Sequence, residues 1–525
     1  MKTPSDELFM LIKSLNRYEK RHFKAASSHG RGQEARETTA YLALFDAIDS
    51  MDSYNEQELR TRLRKKGGPE KLKRIKSYLQ ESILKFLEGY YVDFSIEIQL
   101  QRHLQRIEVL LEKRLYDMAW KVIGKAEKFA LENENHLYLL LLMDWKRKAL
   151  QRQVDLPEIK KYLKNGFQEE EEVLAFYENL LQYRKLNLQA DVLLKTRFEG
   201  ADEESIRELK TLLKNPYLSN PEKASSKRAK GLYYAILGNI YIYFKEDWEK
   251  SNACYKQAIV LQEGGALFQN ENARIYLGLL SGLSTTEILL KRANELKTTV
   301  EKARDFFNRQ SKKMQTGNLQ NQYMGILINY ISFQVEQFNL GQALQQSEQV
   351  KEFIDKHGDE VIYLVFYANY AITTFYLRDY HLSLKCINKI LAKDKTTVRR
   401  DIINDFRIYN LMVHYELGNE DILPNLTKSA RNMLSKGRAL NQAEQLILDF
   451  LEKKAPRMFS KQERKDAFAL AGAELRRIIT DRKPPYNQRH YSFLLEWFES
   501  KAETLDFLDW SKMKFGKGTP SERGS

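Results

Sequence analysis

The sequence is poor in the residues that interrupt helices. Only 10 of its 525 residues are proline and 24 are glycine, and both residue types destabilise the interior of a helix. Runs that alternate apolar and polar residues between turns, as strands do, are nearly absent. Instead, Ala, Leu, Lys, Glu and Gln dominate, and apolar residues recur at helical spacing. The sequence therefore predicts an all-α fold.

Residues that commonly build catalytic or metal sites are also scarce. Cys254 and Cys386 are the only cysteines, and both lie in apolar helical segments, where we expect small core residues rather than reactive thiols. The eight histidines lack the spacing of a zinc site. No glycine-rich phosphate loop and no nucleophile elbow is present. We therefore predict no catalytic residue, no bound metal and no cofactor.

Apolar runs long enough to cross a membrane are missing as well. One uncharged stretch, residues 361–377, has 17 residues, whereas a membrane-spanning helix needs about 20 apolar residues. Asn369 and Thr373 dilute this stretch, so we expect a buried helix. Asp6 and Glu7 interrupt the N-terminal segment before an apolar signal-peptide region can form. We predict no membrane span and a cytoplasmic location.

The formal net charge of +14 is modest for this length and fits either acidic partners or an ordinary lysine-rich surface. Positive charge is concentrated in residues 56–76, which contain nine basic and three acidic residues. Residues 41–51, 56–66 and 70–86 could form a three-helix unit like a helix-turn-helix domain, whose third helix contacts DNA. The candidate nucleic-acid contacts are Arg64, Lys71, Lys73, Arg74 and Lys76. The alternative is a solvated basic face.

Turn residues divide the chain into many short helical segments. We expect a basic N-terminal helical domain (1–95), an array of helical hairpins (96–455), a C-terminal helical cap (456–510) and a disordered tail (511–525), which has almost no apolar content. Residues 167–198 predict a single long helix that does not fit the register of the hairpins. The predicted architecture is an α-α superhelix with an N-terminal helical bundle.

Self-similarity supports the array. The clearest unit combines Leu237-Gly238-Asn239-x-Tyr241 with residues 247–251, Tyr255 and Ala258, and it has one extra residue between its two helices. Weaker copies of the second helix begin near residues 115, 339 and 378. Ala303, Ala343 and Ser383 recur at intervals of 40 residues, and we assign all three to the position where paired helices cross.

This pattern resembles the tetratricopeptide repeat family, in which small residues allow two helices to cross closely. The resemblance implies a solenoid of helical hairpins whose first helices line a concave groove. In the family, asparagines on those helices hold the backbone of a peptide, and the matching residues here are Asn239, Asn329 and Asn369. The alternative is that these amides satisfy backbone groups within the protein. The N-terminal residues 8–24 also resemble uncharacterised bacterial helical-repeat proteins.

Two functions follow from these features. The first is a non-enzymatic scaffold or adaptor that binds a protein or peptide partner in the groove. The second is a regulator that binds nucleic acid through its basic N-terminal helices and uses the repeat array as a sensor. The sequence does not identify the partner or the oligomeric state.

Overall fold

A computed structural model confirms the all-α prediction. It describes residues 6–27, 33–64, 72–91, 95–200, 203–245, 247–264, 273–310, 317–394, 396, 398–436, 438–481 and 488–515. Within these residues there are 24 α-helices and no strand. Consecutive helices pack on their neighbours in an all-α superhelical arrangement, as predicted.

The helices have the following bounds. The first five are α1 (Glu7–Ser14), α2 (Arg17–Ser27), α3 (Gln33–Asp49), α4 (Glu56–Arg64) and α5 (Leu72–Tyr90). The next five are α6 (Ile96–Glu112), α7 (Tyr116–Glu132), α8 (His136–Gln153), α9 (Leu156–Gly200) and α10 (Glu203–Leu213). They are followed by α11 (Lys227–Ile240), α12 (Trp248–Glu263), α13 (Ala273–Leu289), α14 (Ala293–Arg309), α15 (Gly317–Glu336), α16 (Leu340–His357) and α17 (Glu360–Tyr376). The last seven are α18 (Tyr380–Leu391), α19 (Arg400–Glu416), α20 (Leu423–Leu434), α21 (Gln442–Asp449), α22 (Lys461–Asp481), α23 (Gln488–Ala502) and α24 (Phe507–Phe515).

The chain divides into two compact units. The first extends to Val173, and the second begins at Leu174 and contains the remaining described residues apart from Gln310. The long helix α9 contributes residues to both units. The domain boundaries expected after residues 95 and 455 stay predictions. Helix α24 extends five residues into the predicted tail, and residues 516–525 lie outside the described part of the chain.

The first unit contains the predicted N-terminal helical bundle. Helix α3 packs against α1, α2, α4 and α5, and their apolar faces meet in one core that includes Ile12, Phe45 and Ile83. Helices α6, α7 and α8 pack on one another around a second core. Helix α7 is the second repeat helix expected to begin near residue 115, and its Ala119 and Ala126 are both fully buried.

The second unit contains five consecutive helix pairs, from α11–α12 to α19–α20. Each first helix packs on its own second helix and on the first helix of the next pair. Phe338, Arg378 and Gly418 end three successive first helices with a positive φ. After each, the next N–H bonds to the carbonyl five residues earlier, as in a Schellman cap. These three caps lie 40 residues apart, which confirms the expected period for the last three pairs.

The crossing of paired helices depends on small residues near the start of the second helix. The hydroxyl of Ser251 donates to the Gly238 carbonyl at 2.7 Å, and Ser383 donates to the Ala371 carbonyl at 3.0 Å. Both serines are the fourth residue of their helix, and so is the fully buried Ala343. A π-helical turn, Tyr241–Lys245, accommodates the extra residue of the first pair.

The assignment of Ala303 to this crossing position is wrong. Ala303 is the eleventh residue of α14, and Leu296 is the fourth. Ala303 is therefore equivalent to Ala258, the eleventh residue of α12. Because α14 begins 47 residues before α16, the 40-residue spacing connects positions that are not equivalent.

Helices α21 to α24 pack at the C-terminal end of the second unit. Aromatic rings form much of their core, with Phe468 against Phe450, Trp497 and Phe498. Tyr415 of α19 joins this cluster. The apolar stretch predicted to be a buried helix is α17, and ten of its residues are buried. None of the described helices is both long and apolar enough to span a membrane.

Candidate partner-binding surfaces

The first helices of the second unit form a continuous row. Helices α11, α13, α15, α17 and α19 contact one another in that order. Small residues allow them to approach closely: a Cβ atom on Gly278 would lie 3.8 Å from the Gln322 side chain, and one on Gly325 would lie 3.4 Å from the Ile362 side chain. The row is therefore the place where an elongated ligand could meet several repeats at once.

Asn239 lies on α11 and is half-buried. Its Oδ1 accepts a hydrogen bond of 2.6 Å from the hydroxyl of Tyr255. The Tyr255 ring belongs to α12 and is 3% exposed. A Cβ atom on Gly238 would lie 3.1 Å from this ring, and one on Gly282 would lie 2.3 Å from it. Asn239 therefore positions a ring that fills a slot between α11 and α13.

Asn329 links two neighbouring first helices. Its Nδ2 on α15 donates to the Ser284 hydroxyl at 2.9 Å and to the Thr285 hydroxyl at 3.1 Å, both on α13. Its Oδ1 accepts no hydrogen bond from the described residues. The amide N–H group thus has an internal role, and the carbonyl oxygen stays available to a ligand.

Asn369 occupies the equivalent place on α17, 40 residues later, and is also half-buried. Its Nδ2 donates to the Val365 carbonyl of the same helix at 2.9 Å. Its Oδ1, like that of Asn329, accepts nothing from the described residues. The N–H groups of Asn329 are therefore engaged within the protein, whereas Asn369 has a second N–H donor besides its carbonyl oxygen. Their role in a groove stays a prediction.

A buried carboxyl group lies between α13 and α14. Glu287 is 1% exposed, and its Oε1 accepts a hydrogen bond of 3.0 Å from the Thr299 hydroxyl. Burial raises the pKa of Glu287 to about 7, because the charged form loses its hydration. The surrounding helices close off this carboxyl from solvent, so it cannot act on an external substrate. Sequence patterns gave no sign of it, since it lies at an ordinary core position.

The basic N-terminal helices are partly neutralised by their own carboxylates. Lys76 donates to Glu56 at 2.9 Å and also to the Tyr54 hydroxyl. Burial acts to lower the pKa of Lys76, but these hydrogen bonds outweigh it and raise that pKa. The same contact with Lys76, aided by Arg60, lowers the pKa of Glu56 to about 2. Lys76 is therefore held inside the bundle.

The other candidate nucleic-acid contacts differ in what surrounds them. Lys73 and Arg74 are exposed at the start of α5, and neither has an ion-pair partner among the described residues. Arg64 is the last residue of α4, but its side chain lies outside the described part of the structure, as does Lys71. The two described free cations are thus next to each other on the first turn of α5.

Both cysteines behave as core residues. Cys386 is buried, and burial raises its pKa to about 12. Cys254 is half-buried, and burial raises its pKa to about 11. The described residues contain no group of three or more His, Cys, Asp or Glu side chains placed to hold a metal ion. Comparison with known proteins shows no matching protein-family model and no matching curated protein.

Proposed function

We propose that this chain is a non-enzymatic scaffold that binds a protein or peptide partner along the first helices of its second unit. The observation that carries the proposal is the continuous row from α11 to α19, in which each first helix contacts the next. A ligand that crosses this row meets one repeat after another, so several weak contacts add up. A cytoplasmic location and a bacterial source are part of the same proposal.

The helix pairs support a tetratricopeptide-like interpretation. The serine hydroxyls of α12 and α18 bond to carbonyls of α11 and α17 at equivalent places, which fixes the crossing of paired helices in the same way twice. In the resembled family, the row of first helices is the surface that binds peptides. By this resemblance, the partner is an extended peptide segment.

Asn329 and Asn369 are the residues through which we expect the row to contact that segment. They are 40 residues apart on successive first helices, and each keeps a carbonyl oxygen without a donor among the described residues. Backbone N–H groups of an extended peptide are suitable donors for these oxygens. Asn239 has a weaker case, because its Oδ1 already accepts from Tyr255.

The test begins with capture of partners by the full chain, followed by titration of a purified candidate. We expect Asn329→Ala combined with Asn369→Ala to weaken binding at least tenfold, since two hydrogen bonds to the ligand are lost. The matched control is Asn388→Ala with Asn432→Ala, which removes two exposed asparagines from second helices α18 and α20. Thermal melting of each variant separates loss of binding from loss of folding.

Hydrogen exchange locates the bound partner independently of these substitutions. We expect the partner to slow amide exchange in α13, α15 and α17 more than in α14, α16 and α18. Protection confined to the second helices would contradict the groove proposal. Unchanged affinity in the double variant would remove both asparagines from the site.

A second candidate function is nucleic-acid binding by the first unit. The observation in its favour is that Lys73 and Arg74 are exposed and unpaired within the described residues. Two adjacent cations at a helix start could contact phosphates, and such binding weakens steeply as salt rises. In this alternative, the repeat array senses a ligand.

Binding to a labelled DNA or RNA duplex at several salt concentrations tests the alternative. Lys73→Ala with Arg74→Ala is expected to weaken binding and to reduce its salt dependence. Lys121→Ala with Lys125→Ala is the matched control, because both lysines are exposed on α7 of the same unit. Equal effects of the two double variants would indicate only nonspecific attraction by positive charge.

A further inference from the structure

Helix α9 has two opposite apolar faces in the second unit. One face is buried in the core and consists of Leu180, Tyr183, Leu186, Ala190 and Leu194. The other carries Leu174, Leu181 and Leu188, which are 43%, 41% and 66% exposed. Seven residues make nearly two helical turns, so these three leucines lie in one line along the helix. We call them the leucine stripe.

Such a stripe is unusual on a solvated helix. A helix that is apolar on opposite sides is normally covered on both. The polar residues beside the leucine stripe, Glu171, Glu178 and Lys185, are exposed as well, so the open face is broad enough to receive another helix. Leucines at seven-residue spacing supply one of the two seam positions per heptad by which helices pack in a coiled coil, and Glu178 and Lys185 fall at the other.

The residues around Leu181 are arranged symmetrically. Leu174 and Leu188 lie seven residues before and after it. Glu178 lies three residues before it and Lys185 four residues after it, and both fall on the same side of the stripe. Neither charge has an ion-pair partner among the described residues. A two-fold axis at Leu181 would thus place the negative charge of Glu178 in one copy near the positive charge of Lys185 in the other.

We propose that the leucine stripe binds the same stripe of a second copy of this chain, with the two helices antiparallel. In this arrangement Leu181 meets the partner's Leu181, and Leu174 meets the partner's Leu188. Glu178 then lies beside the partner's Lys185, since antiparallel helices place equal sides of their stripes together. A parallel pairing would instead place Lys185 beside the partner's Arg184, which is a repulsive contact.

The surface around Leu188 has room for the incoming leucine. Leu188 and Val192 line an open groove with Arg207, Glu208 and Thr211 of α10. The partner's Leu174 would enter this groove. Three leucines per copy bury less surface than the ~800 Å² per partner of a standard interface. The pair formed by Glu178 and the partner's Lys185 fixes the orientation of the helices, but a polar pair in the seam lowers the stability of the dimer. The dimer is therefore expected to be weak, with a Kd that is roughly micromolar.

Sedimentation of the full chain over a wide concentration range tests the dimer. Wild-type protein is expected to shift from monomer to dimer as its concentration rises. Leu181→Glu should abolish the shift, because it sets two carboxylates together on the two-fold axis. Leu470→Glu is the control: Leu470 is 66% exposed on α22, away from the stripe, and its substitution should leave the shift unchanged.

Cross-linking with a short bis-maleimide reagent tests the orientation. Leu181→Cys should cross-link to itself, and Leu174→Cys should do so only when mixed with Leu188→Cys. The wild-type chain controls for the two native cysteines. Wild-type protein that stays monomeric throughout, equal loss in Leu470→Glu, or efficient cross-linking of Leu174→Cys to itself would each overturn the proposal.

Discussion

Replacing Gly282 with alanine would place a methyl group inside the ring of Tyr255. The new Cβ would lie 2.3 Å from Cζ and 2.4 Å from Cε1 of that ring. The ring has little room to move aside, because it also lies close to Gly238 on α11, where a Cβ atom would be 3.1 Å from it. Either the ring leaves its slot, or α12 and α13 separate.

The expected cost follows from these contacts. Overpacking a filled core costs about 1–3 kcal/mol, and loss of the hydrogen bond from Tyr255 to Asn239 adds about 1 kcal/mol. The better helix propensity of alanine recovers about 1 kcal/mol. We expect Gly282→Ala to destabilise the region from α11 to α13 by about 2 kcal/mol.

Hydrogen exchange at single helices is the suitable assay, since repeat arrays open locally. A loss of about 2 kcal/mol corresponds to roughly 30-fold faster exchange of the protected amides. Gly341→Ala is the matched control, because nothing lies within 4 Å of a Cβ atom there, and it should stabilise α16 slightly. Combining Gly282→Ala with Tyr255→Leu should restore part of the protection. Slower or unchanged exchange in Gly282→Ala alone would refute the packing argument.

Three further predictions concern ionisable groups. The pKa of Glu287 is about 7 in the folded protein, above its ordinary value. Its contribution to the free energy of unfolding is therefore complete at low pH, and as much as about 3 kcal/mol of it is lost as pH rises through 7. Melting temperatures from pH 5 to 8 should fall less for Glu287→Gln than for wild type. The pKa of Glu56 is about 2, so the stability that its bond with Lys76 contributes is complete above the ordinary pKa of the group and is lost as pH falls through 2. Glu56→Gln should therefore lower stability by about 1 kcal/mol at pH 7 and by progressively less as pH falls toward 2, as acid and thermal unfolding would show. Cys386 is buried with a pKa of about 12 and should react with a thiol reagent at pH 8 only after unfolding; rapid labelling in the folded protein would contradict its placement in the core.

The fold could be predicted because the sequence signals that specify helices are local. Apolar spacing, few helix breakers and a repeated crossing motif are all readable within a short window. The caps at Phe338 and Arg378 could not be predicted, because neither residue type favours a positive φ. The misassignment of Ala303 has the same origin, since spacing along the chain does not show where each helix starts.

The candidate sites were harder to predict because their partners are distant in sequence. Asn329 bonds to hydroxyls about 45 residues earlier, and Lys76 bonds to Glu56 20 residues earlier. From the sequence alone such side chains look free to bind a partner, whereas in the folded protein they already form internal hydrogen bonds. The leucine stripe is a different case. Its seven-residue spacing is visible in the sequence, but only the packing of α9 shows that this side is left open.

The aromatic cluster around Phe468 and Trp497 has a consequence for the length of the repeat array. An array of stacked helix pairs has no intrinsic limit on its number of repeats. Each pair buries an apolar face against the next pair, and the last pair has the same kind of face with no further repeat to cover it. Helices α21 to α24 cover that face on α19 with rings rather than with another repeat. Without them, the exposed end could add a second molecule head to tail, and such contacts build open filaments instead of closed assemblies. The C-terminal helices therefore make the array finite.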